Sequence, residues 1–160
     1  MRVSTRARYS LRLMVDLAGG WGRHRPIALR EIARRQGLSK RYLEQLATRL
    51  KHANLVTCTP GRRGGYSLPR HPSQIAVHEI VVASTGPINV VPCVRQPEVC
   101  PRAPRCPSRD LWVHINERIT SLLMQMSLAD LCEPDAGSPG GSGSVKSPCG
   151  VTAGASSQAP

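Results

Sequence analysis

Cys93, Cys100 and Cys106 fall within one proline-rich stretch, separated by six and five residues. Three thiols this close in sequence can converge on one centre, and thiolates favour zinc or an iron–sulfur cluster. The stretch lacks the tight Cys-x-x-Cys pair of most structural zinc sites, which makes zinc the lesser reading. Spacing alone leaves a cluster, a zinc ion and unligated thiols open. Three further cysteines stand apart. Cys58 lies in a short apolar run and reads as a small buried residue. Cys132 reads as solvent-exposed, and Cys149 falls in a polar tail. His78 sits among apolar residues and reads as structural. Ser-His-Asp, paired-carboxylate and phosphate-loop arrangements are all missing, so the chain is read as a non-enzyme.

A second chemistry is carried by cations. The 160 residues have a formal net charge of +12, and its distribution is uneven. Residues 1–70 hold sixteen Lys and Arg against three Asp and Glu, whereas residues 71–160 hold six against seven. A positive field confined to one half is the footprint of a phosphate-binding module, with a solvated basic surface as the plainer alternative. Within that half, Ser39, Lys40 and Arg41 open a segment that continues with Glu44, Gln45, Thr48 and Arg49. Cations in a first helical turn oppose the helix dipole, but become an anion clamp when that turn faces a phosphate. Glu can accept from cytosine and Gln can bond adenine, so this face suits base reading. Arg62 and Arg63 lie in a glycine-rich turn, where a hairpin tip can enter a minor groove. Arg6, Arg8 and Arg12 are placed to touch backbone phosphates.

These residues need elements to hold them. Ser4 caps a predicted first helix to about Leu17, with Ala7, Leu11, Met14, Val15 and Ala18 at helical spacing. A loop through Pro26 leads to a helix over about Leu29–Gln36. The turn Gly37-Leu38-Ser39 then starts a longer helix to roughly Ala53, whose Tyr42, Leu43, Leu46 and Leu50 form one apolar face. Two helices joined by so short a turn make a helix-turn-helix. Leu55–Thr59 and Tyr66–Leu68 read as two strands around the arginine turn, a β-wing. A helix from about Val77 to Ser84 follows, then the cysteine loop. A long helix from about Ser108 to Met126 carries Leu111, Ile115, Ile119, Leu122 and Met126 at spacings of three and four, a seam that can bury against a partner helix. From Glu133 to Pro160 the sequence is Gly, Ser, Pro and Ala with little apolar surface, and reads as a disordered tail.

The order and spacing of Gly37-Leu38-Ser39, Tyr42-Leu43-Glu44-Gln45-Leu46, Leu55-Val56 and Gly64-Gly65-Tyr66 resemble the winged helix of bacterial IscR/NsrR-type iron–sulfur transcription regulators. Met1-Arg2-Val3-Ser4, Arg8-Tyr9, Ile75-Ala76-Val77 and Leu111-Trp112 extend the resemblance over roughly residues 1–131. It implies homodimers binding palindromic double-stranded DNA operators through the second helix of the motif and the wing, with Arg41, Glu44 and Gln45 at base-reading positions. It also implies a cluster, 2Fe–2S or 4Fe–4S, on Cys93, Cys100 and Cys106. Three departures stand out. Pro60 occupies a position where family members often carry an arginine. Arg109 stands where the IscR branch has its histidine ligand, and Arg8 where the NsrR branch has an aspartate donated to the partner subunit. Glu98, Asp110, His114, a small thiol or water remain as fourth ligands.

The expected architecture is mainly α with a small β-wing, a winged helix-turn-helix with a long C-terminal dimerisation helix. It divides into a DNA-binding domain over 1–85, a cluster-binding loop over 86–107, a dimerisation helix over 108–132 and the tail over 133–160. Arg12 and Asp16 interrupt the Leu11–Ala18 run, which a secretory core would not tolerate well, and no run has the length of a membrane span. A cytoplasmic location is expected, where reduced thiols favour ligation or redox sensing over structural disulfides. The expected function is a transcription regulator whose operator binding follows the state of a cluster. A metal-free thiol switch and a zinc-bearing protein adaptor are the alternatives.

Overall fold

The computed structural model describes residues 4–23 and 25–132. Three helices open the fold: α1 (Thr5–Ala18), α2 (Leu29–Gln36) and α3 (Lys40–His52). Their ends follow from local chemistry. The Ser4 hydroxyl accepts from the Arg6 amide at the start of α1, and Ser39 does the same for the Tyr42 amide at the start of α3. Such caps satisfy amides that have no partner within the helix. Gly37 ends α2 in the left-handed region at φ 63°, and the Leu38 amide bonds back to Ala33 O at 3.1 Å. Asn54 ends α3 in the same way, at φ 55°, with Leu55 N bonded to Leu50 O at 2.9 Å. Asn tolerates that conformation better than most residues that carry a Cβ.

The core is where the apolar faces meet. Leu13, Met14, Ile32, Leu43, Leu46, Leu50, Leu55, Ile75, Ile80 and Leu128 are fully buried in one cluster. The apolar face predicted for α3 is therefore the packed one, with Tyr42 at its half-buried edge. An ion pair locks α1 to α2: Arg35 meets the buried Asp16 carboxylate at 2.6 Å, and Gln36 Nε2 donates to its second oxygen at 2.8 Å. Arg12 Nε donates to Gln36 Oε1 at 2.7 Å, so this cation is already engaged between the two helices.

The wing is shorter than predicted. β1 (Thr57–Thr59) and β2 (Gly65–Ser67) pair antiparallel, with Thr57 opposite Ser67, Cys58 opposite Tyr66 and Thr59 opposite Gly65. Leu55 and Val56, expected in the strand, instead turn into the core, as does Leu68 beyond β2. Cys58 is exposed, which corrects its reading as a buried residue: a two-stranded ribbon on the surface has no second layer to cover it. A further strand-like pairing was not foreseen. Ile27 and Tyr66 exchange both backbone hydrogen bonds, at 2.8 and 2.9 Å, so the segment before α2 is zipped onto β2.

Beyond a one-turn 3-10 segment at Pro72–Gln74, α4 (Val77–Thr85) packs on α1 and α3. The cysteine stretch is not a bare loop: it holds α5 (Pro92–Arg95) and single 3-10 turns at Pro97–Val99 and Ala103–Arg105. The long α6 (Pro107–Gln125) follows and packs on α4 and α5. At its far end the chain returns to the N-terminal half. Val77 N donates to Met126 O at 2.9 Å, Leu128 N donates to Ile75 O at 2.8 Å, and Leu128 enters the core. The expected tail, with Cys149, lies outside the described residues.

Candidate nucleic-acid interface and cysteine loop

α3 presents Lys40, Arg41, Glu44, Gln45, Thr48 and Arg49 to solvent, opposite its buried leucines. Ser39, also exposed, is committed to the cap. Lys40 and Glu44 pair at 3.2 Å one turn apart, an exposed contact worth little that can open without much loss. Arg6, Tyr42, Gln45, Leu46, Thr48, Arg49 and His52 line a groove of about 610 Å³ between the start of α1 and the outer face of α3. Arg8 stacks over the Tyr9 ring at 4.9 Å and Arg12 over the same ring at 5.5 Å. Tyr9 in turn meets Tyr42 edge-on at 5.9 Å. This aromatic pair fixes where the α1 cations stand relative to α3.

Arg62 and Arg63 occupy the turn between β1 and β2 and are exposed. Tyr66 lies on β2, opposite Cys58 and bonded to Ile27. Burial raises its hydroxyl above the ordinary tyrosine range, with the Cys58 thiol and the Glu44 carboxylate adding to the effect. Sequence reasoning reached α3 and the wing tip but not Tyr66 as the residue that pairs the wing with Ile27, whose only signal was its place opposite Cys58 across a glycine turn.

The three loop cysteines sit on successive short turns. Cys93 is in α5, Cys100 ends the Pro97–Val99 turn and Cys106 caps α6. All three are half-buried and none is in a disulfide. The Ser108 hydroxyl, 3.2 Å from Cys106 Sγ, holds that thiol below its ordinary value, helped by the Ser108 and Arg109 amides and by Arg102. A lowered thiol supplies the thiolate that metals bind and oxidants attack. Arg109 Nε donates to the Cys93 carbonyl at 3.2 Å, which ties the first turn of α6 to α5. In kind, the donors fit a cluster. In position, no group of three or more His, Cys, Asp or Glu among the described residues is gathered to hold a metal. Of the expected fourth ligands, Glu98 and Asp110 are exposed, and His114 faces Glu117 at 3.6 Å. Cys132 is half-buried rather than exposed. His78 is half-buried on α4 and lines a cleft toward α6 with Arg95 and Asn116.

Residues 3–134 match the Rrf2 family, described as iron-dependent transcriptional regulators. The chain belongs to that family. It is 35% identical over 131 residues to the protein rrf2 of Nitratidesulfovibrio vulgaris, covering 82% of this chain and 87% of that one. Its fold is similar to that of T. potens IscR, with a TM-score of 0.67 and 34% identity over 82% of this chain and 85% of that one. It is similar also to CymR, the global cysteine regulator of B. subtilis, with a TM-score of 0.68 and 34% identity over 82% and 95% of the two chains. This Rrf2-family chain is thus a DNA-binding transcriptional regulator, of winged-helix fold as expected. Among the described residues no helix is long and apolar enough to cross a membrane.

Proposed function

We propose that this Rrf2-family regulator is a homodimer whose binding to a palindromic operator is set by an iron–sulfur cluster on Cys93, Cys100 and Cys106. Arg41, Glu44 and Gln45 read bases in the major groove. Ser39, Lys40, Arg49 and Arg8 hold backbone phosphates, and Arg62 and Arg63 reach the flanking minor groove. One observation carries the regulatory part. The cysteine turns lie at the root of α6, and the other end of α6 is hydrogen-bonded to the start of α4 through Met126 and Leu128. α4 packs on both α1 and α3, so the loop is linked to the reading helix by continuous packing.

A cluster supplies three iron–thiolate bonds that would draw three separate turns together. Binding of this kind is coupled to ordering of the chain that supplies the ligands. Cys106 carries that ordering into the first turn of α6, and Arg109 holds α5 against it. The apolar side chains of α6 support the dimer. None of its residues is buried within the described chain, and Leu111, Leu122 and Met124 are 56%, 57% and 56% exposed. Ile115, Ile119 and Met126 are half-buried, so the predicted seam divides between α6's own neighbours and solvent.

Protein purified anaerobically from iron-replete cells tests the cluster. It is expected to be brown, with visible absorption and matched iron and sulfide. Ala at Cys93, Cys100 or Cys106 should abolish both. A colourless, iron-free parent protein would favour a second reading, a metal-free thiol switch. That reading draws on the lowered Cys106 thiol, the separation of the three cysteines and the likeness to CymR. A colourless protein holding zinc would favour the adaptor instead.

A further inference from the structure

The Ile27–Tyr66 pairing has a second effect, on charge. It brings the segment before α2 against the wing so closely that a Cβ on Gly65 would stand 2.5 Å from Ile27 O. Two stretches far apart in sequence, 25–31 and 62–64, thereby line one groove of about 330 Å³ with Arg25, Arg30, Arg62, Arg63 and Glu31. Four guanidiniums face a single carboxylate. That carboxylate is already shared, with Arg25 at 3.7 Å and Arg35 at 4.0 Å. Among the described residues Arg30, Arg62 and Arg63 have no ion-pair partner. Gathering like charges in a concave surface costs free energy in the isolated protein, and a bound anion removes that cost.

We propose that this groove grips the phosphodiester backbone of duplex DNA, and that Arg30 and Arg25 are phosphate contacts additional to those of α3 and the wing tip. The guanidinium fork matches two phosphate oxygens at once, which a lysine cannot do. The placement suits the same duplex, because the wing-tip residues Arg62 and Arg63 themselves line the groove. The groove gives the wing a second anchor beside its tip, on phosphates outside the bases read by α3. These contacts carry no sequence information, so they strengthen binding to operator and random duplex alike. The proposal rests on the DNA-reading assignment of α3 and the wing.

Because the contacts are independent of sequence, a fluorescein-labelled 30-base-pair duplex of mixed sequence serves as probe. Affinity is read by anisotropy with the full-length protein between 50 and 200 mM salt. Arg30→Ala should lower the slope of log affinity against log salt by about one, which is roughly fourfold less loss of affinity over that range. Arg118→Ala, the same charge change on the exposed face of α6, should leave the slope unchanged. If Arg30→Ala behaves like Arg118→Ala, the groove proposal is overturned. A parent protein with no salt-dependent duplex binding would instead overturn the DNA-reading assignment beneath it. Inorganic phosphate at 5 mM provides the remaining arm. If it raises the melting temperature of the parent but not of Arg30→Ala, while the DNA slopes agree, the groove holds a free anion and the proposal fails.

Discussion

At position 109 an arginine stands where the IscR-like pattern has a histidine, and its placement bears on how the site works. Its guanidinium does not extend into solvent: it donates to the Cys93 carbonyl at 3.2 Å. The side chain therefore lies against the backbone of the first of the three cysteines, yet it cannot lose its proton to become a fourth ligand. The Arg109→His protein should hold a neutral imidazole there. Its cluster is expected to outlast the parent's in air by several-fold, with a changed visible spectrum, followed as bleaching after exposure. An identical lifetime and spectrum would mean that another group already fills the fourth position, with Glu98, Asp110 and His114 next in line. Asp16 shows the same principle in a structural role. Its carboxylate is buried only because Arg35 and Gln36 both reach it, and a buried charge without partners is costly.

Among the elements, the wing shows how much was legible beforehand and where that ended. Helix starts were legible because Ser4 and Ser39 cap by a local rule, and helix ends because Gly37 has a conformation that favours glycine. The ends of the strands were not. Leu55, Val56 and Leu68 are as apolar as any strand residue, and whether they extend the ladder or turn inward depends on the core below them. Cys58 was misplaced for the same reason. The α3 face was legible from its period, but the Ile27–Tyr66 pairing was not, because a single non-local pair leaves no periodic trace. Gly64-Gly65 was read as turn composition, and the structure adds a steric reason at Gly65. Gly65→Ala puts a methyl group against the backbone of Ile27, with no flexible side chain to yield. The substitution should detach the wing from the segment before α2 while leaving the helices intact. We expect unchanged far-ultraviolet circular dichroism with at least a tenfold loss of duplex affinity, about 1.4 kcal/mol or more. Unaltered affinity would show that the wing's attachment does not matter for DNA.

For the whole molecule, the proposed function gives the charge asymmetry and the long last helix different partners, DNA for the first and a second subunit for the second. Residues 1–70 carry sixteen of the 22 lysines and arginines, and α6 carries exposed leucines that a lone subunit would leave in water. Apolar groups this exposed and this close on one helix mark an interaction surface. Leu111→Glu together with Leu122→Glu should convert a dimer to a monomer in sedimentation equilibrium. Operator affinity should fall by orders of magnitude as the two half-sites lose their linkage. A parent protein that sediments as a monomer would remove the palindrome from the account.

The central claim is that one cysteine loop sets the DNA affinity of the whole regulator. Its most direct test is one titration, run anaerobically. A duplex selected by the protein from random sequence is bound by cluster-loaded protein, and again by the same preparation after the cluster has been removed and the thiols kept reduced. The account predicts that affinity for the selected duplex changes at least tenfold between the two forms, and that Ala at Cys93, Cys100 and Cys106 fixes it at the cluster-free value. Equal affinity for both forms, from a preparation whose iron and sulfide prove that it was loaded, would contradict it.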